Sequence, residues 1–521
     1  MNIEKLPTSQ MSPASYATRR CAYDGGSPTM SNESWRPKLH LAAYNGSVSD
    51  PNGLNQFRGT YHFFSQYAPT YPPHADSPHG WGHFVSRDLV NWAFLGCHIM
   101  PDCESDRDGS YSGGAYVADD ELWLYYTGNV RDGVGDGTYS GRLANQTLIK
   151  SYNGINLGPK TVVMRNDAYP SYCSCHVRDP KVWKQNGRLH MLLGARTRKD
   201  SRGSILCYDS DDGLSWTMSG SATNLEDKPF GYMWECPDRI VLGGREFLGT
   251  CPQGMARSGD PDDPERLTCQ NVHAAGYFPV KGTILDLMGQ DRGLMGAEAP
   301  HPSVDSSTFR DWDYGFDYYA CQTLVDEKGR TLLIGWMSLP HDEDDVRPYD
   351  NPTNSWKGCL TVPRELTLDE GSGLILQSPV VEFDALRKEA HELKRTATGY
   401  SVTLNPKVAD VVVDGIAGEL HVSFGDFATL DVTGGLAILS FADDEVGQGR
   451  KVRRARVETV RDLRIIVDTS VLEIYLNGGE TVLSTRYFQE ADALELKVDC
   501  MAGSALAYEM DTLSIDYLVD R

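Results

Sequence analysis

An all-β chain, a five-bladed β-propeller followed by a C-terminal β-sandwich, is the fold class this sequence predicts, and three observations predict it. The composition is that of a turn-rich strand protein, with 51 Gly, 27 Pro and 26 Tyr in 521 residues, which suits short strands broken by turns better than helices. A unit of constant order recurs five times along the first two thirds of the chain. A long run of alternating apolar and polar residues follows it.

The recurring unit is an acid- or Gly-marked turn, a short strand, a tight polar turn and an aromatic-rich strand. It reads SDPNGLNQFRGTYHFFSQY, SYSGGAYVADDELWLYYTG, VRDPKVWKQNGRLHMLLGA, WECPDRIVLGGREFLGT and FDYYACQTLVDEKGRTLLIGW. The second strands are expected to start near Thr60, Leu122, Arg188, Glu246 and Thr331, a period of roughly sixty residues with room for four strands per unit. GHFVSRDLVNWAFLG, TLIKSYNGINLGPK and ILCYDSDDGLSWTMSG supply a second hairpin, each with an Asp/Asn/Gly turn. In the fourth unit AAGYFPVKGTIL is a weaker counterpart. Two hairpins make a four-stranded sheet, and five radial sheets protect one another's edges.

The expected organisation is an N-terminal extension over 1–36, the propeller over 37–375, a linker over 376–396 and the sandwich over 397–521. Within the linker, SPVVEFDALRKEAHELKR (378–395) has helical spacing and charge. In the sandwich, LRIIVDTSVLEIYLNGGETVLSTRYF predicts a hairpin turning at Asn477-Gly478-Gly479.

A net charge of −23 would repel nucleic acid and anionic membranes, so neither is an expected partner. No apolar run reaches membrane-spanning length and no export signal is legible, so the expectation is a cytoplasmic protein acting on small neutral molecules. Twelve cysteines without a framework read as reduced thiols. Cys173-Ser174-Cys175-His176 has no second pair at zinc spacing, and His79 and His83 flank Trp81 with no Glu between them. No metal and no cofactor is therefore assigned.

The first strand of each propeller blade runs beside the central channel, so residues at its entrance face one another across the axis. Asp50, Asp179 and Glu235 occupy that position in the first, third and fourth units. Singly, each is an ordinary turn or cap residue. Together they would repel, a cost that folding alone does not favour, and the coincidence points to chemistry.

SDPNGL, RDPKVW and WECPD resemble the three signature motifs of glycoside hydrolase family 32, the β-fructofuranosidases. FFSQY, WGHFVSRDLVNW, DGSYSGGAYV, DYGFDYYACQT, LLIGWMS and GCLTVPREL follow in family order, from about Leu39 to Glu365. The resemblance implies the same propeller and sandwich, and a retaining hydrolysis that releases terminal β-D-fructofuranosyl units from sucrose or short fructo-oligosaccharides. It implies Asp50 as nucleophile, Glu235 as acid/base and Asp179 as the residue that holds two fructose hydroxyls. It also implies polar contacts from Ser49, Asn52, Gln66, Ser112 and Arg178, with Trp81, Tyr111, Tyr319 and Trp336 walling the sugar. Glu235, near two other carboxylates, is expected to keep its proton near neutrality, as an acid must.

One departure stands out. The family usually has Trp-x-Asn before Asp-Pro-Asn-Gly, whereas this chain has Ser47-Val48-Ser49. The shorter Ser49 leaves open the partition of the fructosyl unit between water and a sugar acceptor. Fructosyltransferase activity on the same site is therefore an alternative; sucrose-6-phosphate hydrolase is another, because a linear sequence does not show whether a cation lies near the sugar, and a non-catalytic sugar-binding propeller is an alternative of another class. SDDGLSW (210–216) also resembles a turn of sialidase-like propellers, but no run of such turns repeats. Oligomeric state is not legible.

Overall fold

The computed structural model describes residues 33–70, 79–255, 266–288, 298–340, 353 and 355–518. Residues 1–32 of the expected N-terminal extension lie outside the described residues. The described strands form seven sheets.

The first sheet holds β1 (Gly46–Phe57), β2 (Thr60–Ala68), β3 (Gly80–Ser86) and β4 (Asn91–Ile99) in chain order. The second holds β5 (Ser110–Val117), β6 (Leu122–Arg131), β7 (Arg142–Ser151) and β8 (Thr161–Met164). The third is built from β9 (Cys173–Gln185), β10 (Arg188–Thr197), β11 (Gly203–Ser210) and β12 (Thr217–Asn224), with β16 (Pro302–Val304) parallel to β12. The fourth holds β13 (Met233–Leu242), β14 (Arg245–Gln253), the short β15 (Gly276–Pro279) and β17 (Arg310–Asp311). In the fifth, β18 (Tyr319–Val325) and β19 (Thr331–Trp336) are followed by β21 (Arg364–Leu368) and β22 (Ile375–Pro379). Between them, β20 (Trp356–Lys357) pairs with β1.

The second strands begin at Thr60, Leu122, Arg188, Arg245 and Thr331, within one residue of the sequence expectation. The weak fourth repeat has a cause. After β15 the chain forms a capped helical turn, Ile284–Leu287, and the fourth strand arrives only at Arg310. The first strand of each sheet packs against its counterparts: β1 on β5 and β18, β5 on β9, β9 on β13, and β13 on β18.

The remaining two sheets, of six and seven strands, enclose a core that includes Val411, Ile465 and Leu472 from one side and Val422, Leu430 and Leu496 from the other. The predicted hairpin is present, as strands Val471–Leu476 and Thr481–Arg486. Asn477 and Gly478 have φ of 55° and 65°, as this tight turn requires. Two expectations are corrected. Residues 378–395 are not helical: a 3-10 turn over Val381–Leu386 leads into the edge strand Arg387–Glu392. Its charged, solvent-exposed residues protect a sheet edge, and in sequence they mimic the polar face of a helix. Ser514–Tyr517, grouped by sequence with the sandwich, instead pairs with β4 and extends the first sheet.

Strand Val471–Leu476 is buried at every position, and its alternation sends side chains into two different cores. Leu472, Ile474 and Leu476 enter the sandwich, while Tyr475 packs with Phe63, Trp92 and Leu332 of the first and fifth sheets. Glu473 shares that second face, wholly buried. Its Oε2 takes Arg364 Nη2 at 2.7 Å, and its Oε1 takes the Val362 amide and faces His40 Nε2 at 3.0 Å. Arg364 also reaches Asp313 at 3.1 Å. Breaking one partner of such a group strands the others without water or countercharge. Arg364→Leu is expected to lower unfolding free energy by about 3–5 kcal/mol in urea titration; a loss below about 1 kcal/mol would mean that the charges are dispensable.

Candidate active site

All five inner strands are broken at the same level. Opposite the second strand, β1 gains a residue between Val48 and Pro51, β5 between Ser110 and Gly113, and β9 between Arg178 and Lys181. The same happens in β13 between Glu235 and Asp238, and in β18 between Tyr319 and Gln322. A bulge bends its strand and turns side chains off the regular alternation. Asp179, Cys236 and Ala320 have φ of 66°, 47° and 48° there. The proline that follows the bulged residue in Asp50-Pro51, Asp179-Pro180 and Cys236-Pro237 fits for the same reason, because a bulge is one of the few strand positions that spares an amide donor. The turn chemistry of Asp-Pro-Asn-Gly is therefore bulge chemistry inside a strand.

These bulges hold the three predicted acids, and hydrogen bonds run between sheets from each. Asp50 Oδ2 accepts the Ser112 hydroxyl at 2.7 Å. Asp179 Oδ2 accepts the Cys236 amide at 3.0 Å, while the Asp179 amide donates to Thr127 Oγ1 at 3.0 Å. Glu235 Oε1 accepts Arg178 Nε and Nη2 at 2.9 and 2.6 Å, and its Oε2 accepts the Tyr319 hydroxyl at 2.6 Å. Arg178 Nε also lies 3.9 Å from Asp179. Glu235 thus has a cation as its nearest charge, where the sequence expectation counted only carboxylates.

Electrostatics separate the acids. Burial pushes Asp50 up to about 6; the Ser112 hydroxyl pulls against it, and the charge of Glu235 adds to it. Asp179 is also raised by burial, against the pull of Arg178 and with the push of Glu235 and Asp50. The charge of Glu235 thus raises both Asp50 and Asp179, and the charge of Asp50 raises Asp179 further.

The other expected residues divide. Ser49 is half-buried beside Asp50, and Tyr111 is half-buried beside Ser112. Asn52 is wholly buried, with Oδ1 accepting the Gly113 amide at 3.3 Å and Nδ2 without an acceptor among the described residues. Trp336 likewise keeps a buried Nε1 without an acceptor there. Donors so placed suit sugar hydroxyls. Gln66 Nε2 donates to the Ser110 carbonyl at 2.8 Å and so braces β5. Trp81, expected as a pocket wall, is fully buried against Phe64 and Tyr126, with Nε1 donating to the Tyr111 carbonyl. It supports the Asp50–Gly53 turn from behind: a Cβ on Gly53 would stand 2.9 Å from its ring.

Comparison with known proteins fits this geometry. The description Glycosyl hydrolases family 32 N-terminal domain matches residues 40–379, and Glycosyl hydrolases family 32 C terminal matches 428–515. The chain belongs to glycoside hydrolase family 32. This family 32 enzyme is 33% identical to the sucrose-6-phosphate hydrolase of Bacillus subtilis over 90% of its own length and 93% of the relative's. It is 35% identical to that of Salmonella typhimurium, over 89% and 91%. Its backbone matches a sucrose-6-phosphate hydrolase from Lactobacillus gasseri at TM-score 0.72 and 27% identity, over 92% and 94% of the two chains. A β-fructofuranosidase from Bombyx mori matches at 0.70 and 27%, over 92% and 95%.

Several residues of this candidate site were not singled out from sequence. Thr127 holds the Asp179 amide, Gln322 Nε2 donates to the Gly113 carbonyl at 3.0 Å, and His176 contacts Arg178 at 2.7 Å. Gln322 lies within the quoted DYYACQT motif, a signal that could have found it; Thr127 carries none. His176 was weighed only as a metal ligand.

If Asp50 must be ionised to react, the acid limb of kcat/KM falls near pH 6. The Ser112 hydroxyl favours the ionised form, so Ser112→Ala is expected to move that limb to higher pH. A limb that stays in place would remove Asp50 as its source.

Proposed function

We propose that this enzyme hydrolyses terminal β-D-fructofuranosyl bonds of sucrose and short fructo-oligosaccharides with retention, on a five-bladed propeller backed by a sandwich. The observation that carries the reading is the convergence of Asp50, Asp179 and Glu235 on bulges of three packed inner strands. The cyclic packing of β1, β5, β9, β13 and β18 supports the closed propeller.

In this reading an Asp50 oxygen attacks the anomeric carbon as the glycosidic C–O bond breaks and the leaving oxygen takes the Glu235 proton. Water then gives a proton back to Glu235 and attacks the same carbon, freeing Asp50. Asp179 holds fructose hydroxyls and its charge stabilises the oxocarbenium-like state. Ser49 sets how water competes with a sugar acceptor. Among the described residues no helix is long and apolar enough to cross a membrane. The described cysteines are free thiols, which supports a reducing, cytoplasmic setting.

A second reading, a phosphorylated disaccharide as preferred substrate, is favoured by two guanidinium groups. Arg142 lies 5.7 Å over the Tyr111 ring with a buried Nε that has no acceptor among the described residues. Arg196 lies 5.2 Å over Tyr139 and 4.7 Å over Tyr232. Neither has a carboxylate partner among the described residues, in a chain of net charge −23. A phosphoryl group is a suitable anion for them, and it is what the names of the sucrose-6-phosphate hydrolase relatives specify.

Incubation with sucrose, sucrose-6-phosphate, 1-kestose and inulin, with products resolved by chromatography, tests both. The parent is expected to release fructose and the leaving sugar together, and Asp50→Asn and Glu235→Gln to lose at least about a hundredfold in kcat. Full activity in either variant would defeat the assignment. Arg142→Ala is expected to lower the ratio of kcat/KM for sucrose-6-phosphate over sucrose by about tenfold; an unchanged ratio would remove the second reading.

A further inference from the structure

His176 lies in an irregular stretch of β9, between Cys173 and Val177, beside the bulge that starts at Arg178. Arg178 Nη1 lies 2.7 Å from His176 Nδ1. A guanidinium nitrogen only donates, so Nδ1 accepts; the ring is neutral and carries its proton on Nε2. That proton points to the Gly137 carbonyl at 3.0 Å. Burial, with Arg178, Arg142 and Arg196 around the ring, keeps it neutral by pushing it down to about 2. The rest of the fork falls on one oxygen of one acid: Nε and Nη2 both reach Glu235 Oε1.

We propose that His176 is a positioning residue: a fixed neutral acceptor that orients the Arg178 fork onto Glu235 Oε1, leaving Oε2, which also meets the Tyr319 hydroxyl at 2.6 Å, as the oxygen that carries and returns the catalytic proton. The inference rests on Glu235 as acid/base. Without the Nδ1 acceptor, Arg178 is free to turn toward Asp179, already 3.9 Å away, or toward Gln253 Oε1 at 3.5 Å. The Oε1 proton acceptor site would then be open, and protonation would divide between two oxygens of which one faces away from the leaving group. The Nε2 end ties the relay to the loop 132–141. There Asp136 Oδ1 gathers the amides of Thr138, Tyr139 and Ser140 at 3.0, 2.8 and 3.1 Å, and Cys175 Sγ reaches the same Gly137 carbonyl. Loop, histidine, arginine and acid form one chain of hydrogen bonds.

The two ends of the ring can be replaced separately. His176→Asn puts an amide oxygen near the Nδ1 position and keeps the acceptor for Arg178. His176→Gln puts an amide N–H near the Nε2 position, keeping the loop contact and losing the acceptor; His176→Ala loses both. Each is assayed on sucrose, whose leaving group needs a proton, and on β-D-fructofuranosyl fluoride, whose leaving group does not. The first-turnover release of fluoride, before water has to give its proton to Glu235, reports that the protein is folded and that nucleophilic attack is intact.

The expected result is a fall in sucrose kcat on the order of tenfold for His176→Gln and His176→Ala, with KM and the first-turnover release of fluoride changed far less. His176→Asn is expected to stay within about threefold of the parent on sucrose. Equal losses in sucrose kcat and in first-turnover fluoride release, or His176→Asn falling as far as His176→Gln, overturn the proposal. Sucrose cleavage that survives Glu235→Gln would overturn it by a different route, through the acid/base assignment itself.

Discussion

Glu235 and Asp179 share one cation. The Arg178 guanidinium stands 2.6 Å from the first and 3.9 Å from the second, in a recess where burial raises the cost of every charge. Take that cation away and the acids would have to keep protons or repel one another. Asp50 has a different environment, with a neutral hydroxyl as its partner and no contacting cation among the described residues. The site therefore distributes charge unevenly across chemically similar groups, and uneven environments are what let two carboxyls perform opposite tasks in one reaction.

The backbone carries the cost of this arrangement. Asp179, Cys236 and Ala320 hold positive φ without being glycine, each at an expense of about 1–3 kcal/mol. The strain persists because the bulged segments are fastened to neighbouring sheets. The Asp179 carboxylate holds the Cys236 amide, Asp238 Oδ2 holds the Thr323 amide at 2.6 Å, and Gln322 holds the Gly113 carbonyl. Close approach is part of the same design: a Cβ on Gly114 would lie 2.9 Å from the Pro180 carbonyl, so β5 and β9 meet at a position that glycine alone fits. Strained strands and their cross-sheet bonds define each other, and the acids inherit their placement from both.

This explains what was legible in the sequence. Strand alternation and polar turns are local, so four of the five second-strand starts coincide with the expected residue and Arg245 precedes the fifth by one. The shared level of Asp50, Asp179 and Glu235 was legible because Asp-Pro and Glu-Cys-Pro recur at one phase of the repeat. Contacts between sheets are not local. Whether Trp81 presents a face to a sugar or braces a turn depends on Tyr126 of the next sheet, and the partner of His176 depends on how a bulge twists β9. The helical expectation for 378–395 failed for another reason: Arg387–Glu392 is exposed along nearly its whole length, so it lacks the buried-exposed alternation by which a strand declares itself.

The C-terminal sheets are bound to the site-bearing ones by charge as well as by apolar packing. Burial works against His40 carrying a charge, yet Asp468 and Glu473, each hydrogen-bonded to a ring nitrogen, raise it. Asp468 also accepts the Lys38 and Leu39 amides, and Glu473 meets Arg364. Arg450 adds a second crossing to Asp317 at 2.6 Å, two residues before Tyr319, whose hydroxyl holds Glu235. Removing the sandwich would leave His40, Arg364 and Asp317 with their burial partners gone and an apolar face around Phe63 and Trp92 open to water. An accessory sugar-binding module joined by a flexible tether would not need such a boundary. The second region therefore acts as the outer wall of the first, and it reaches the candidate site through Asp317, just before the strand that carries Tyr319.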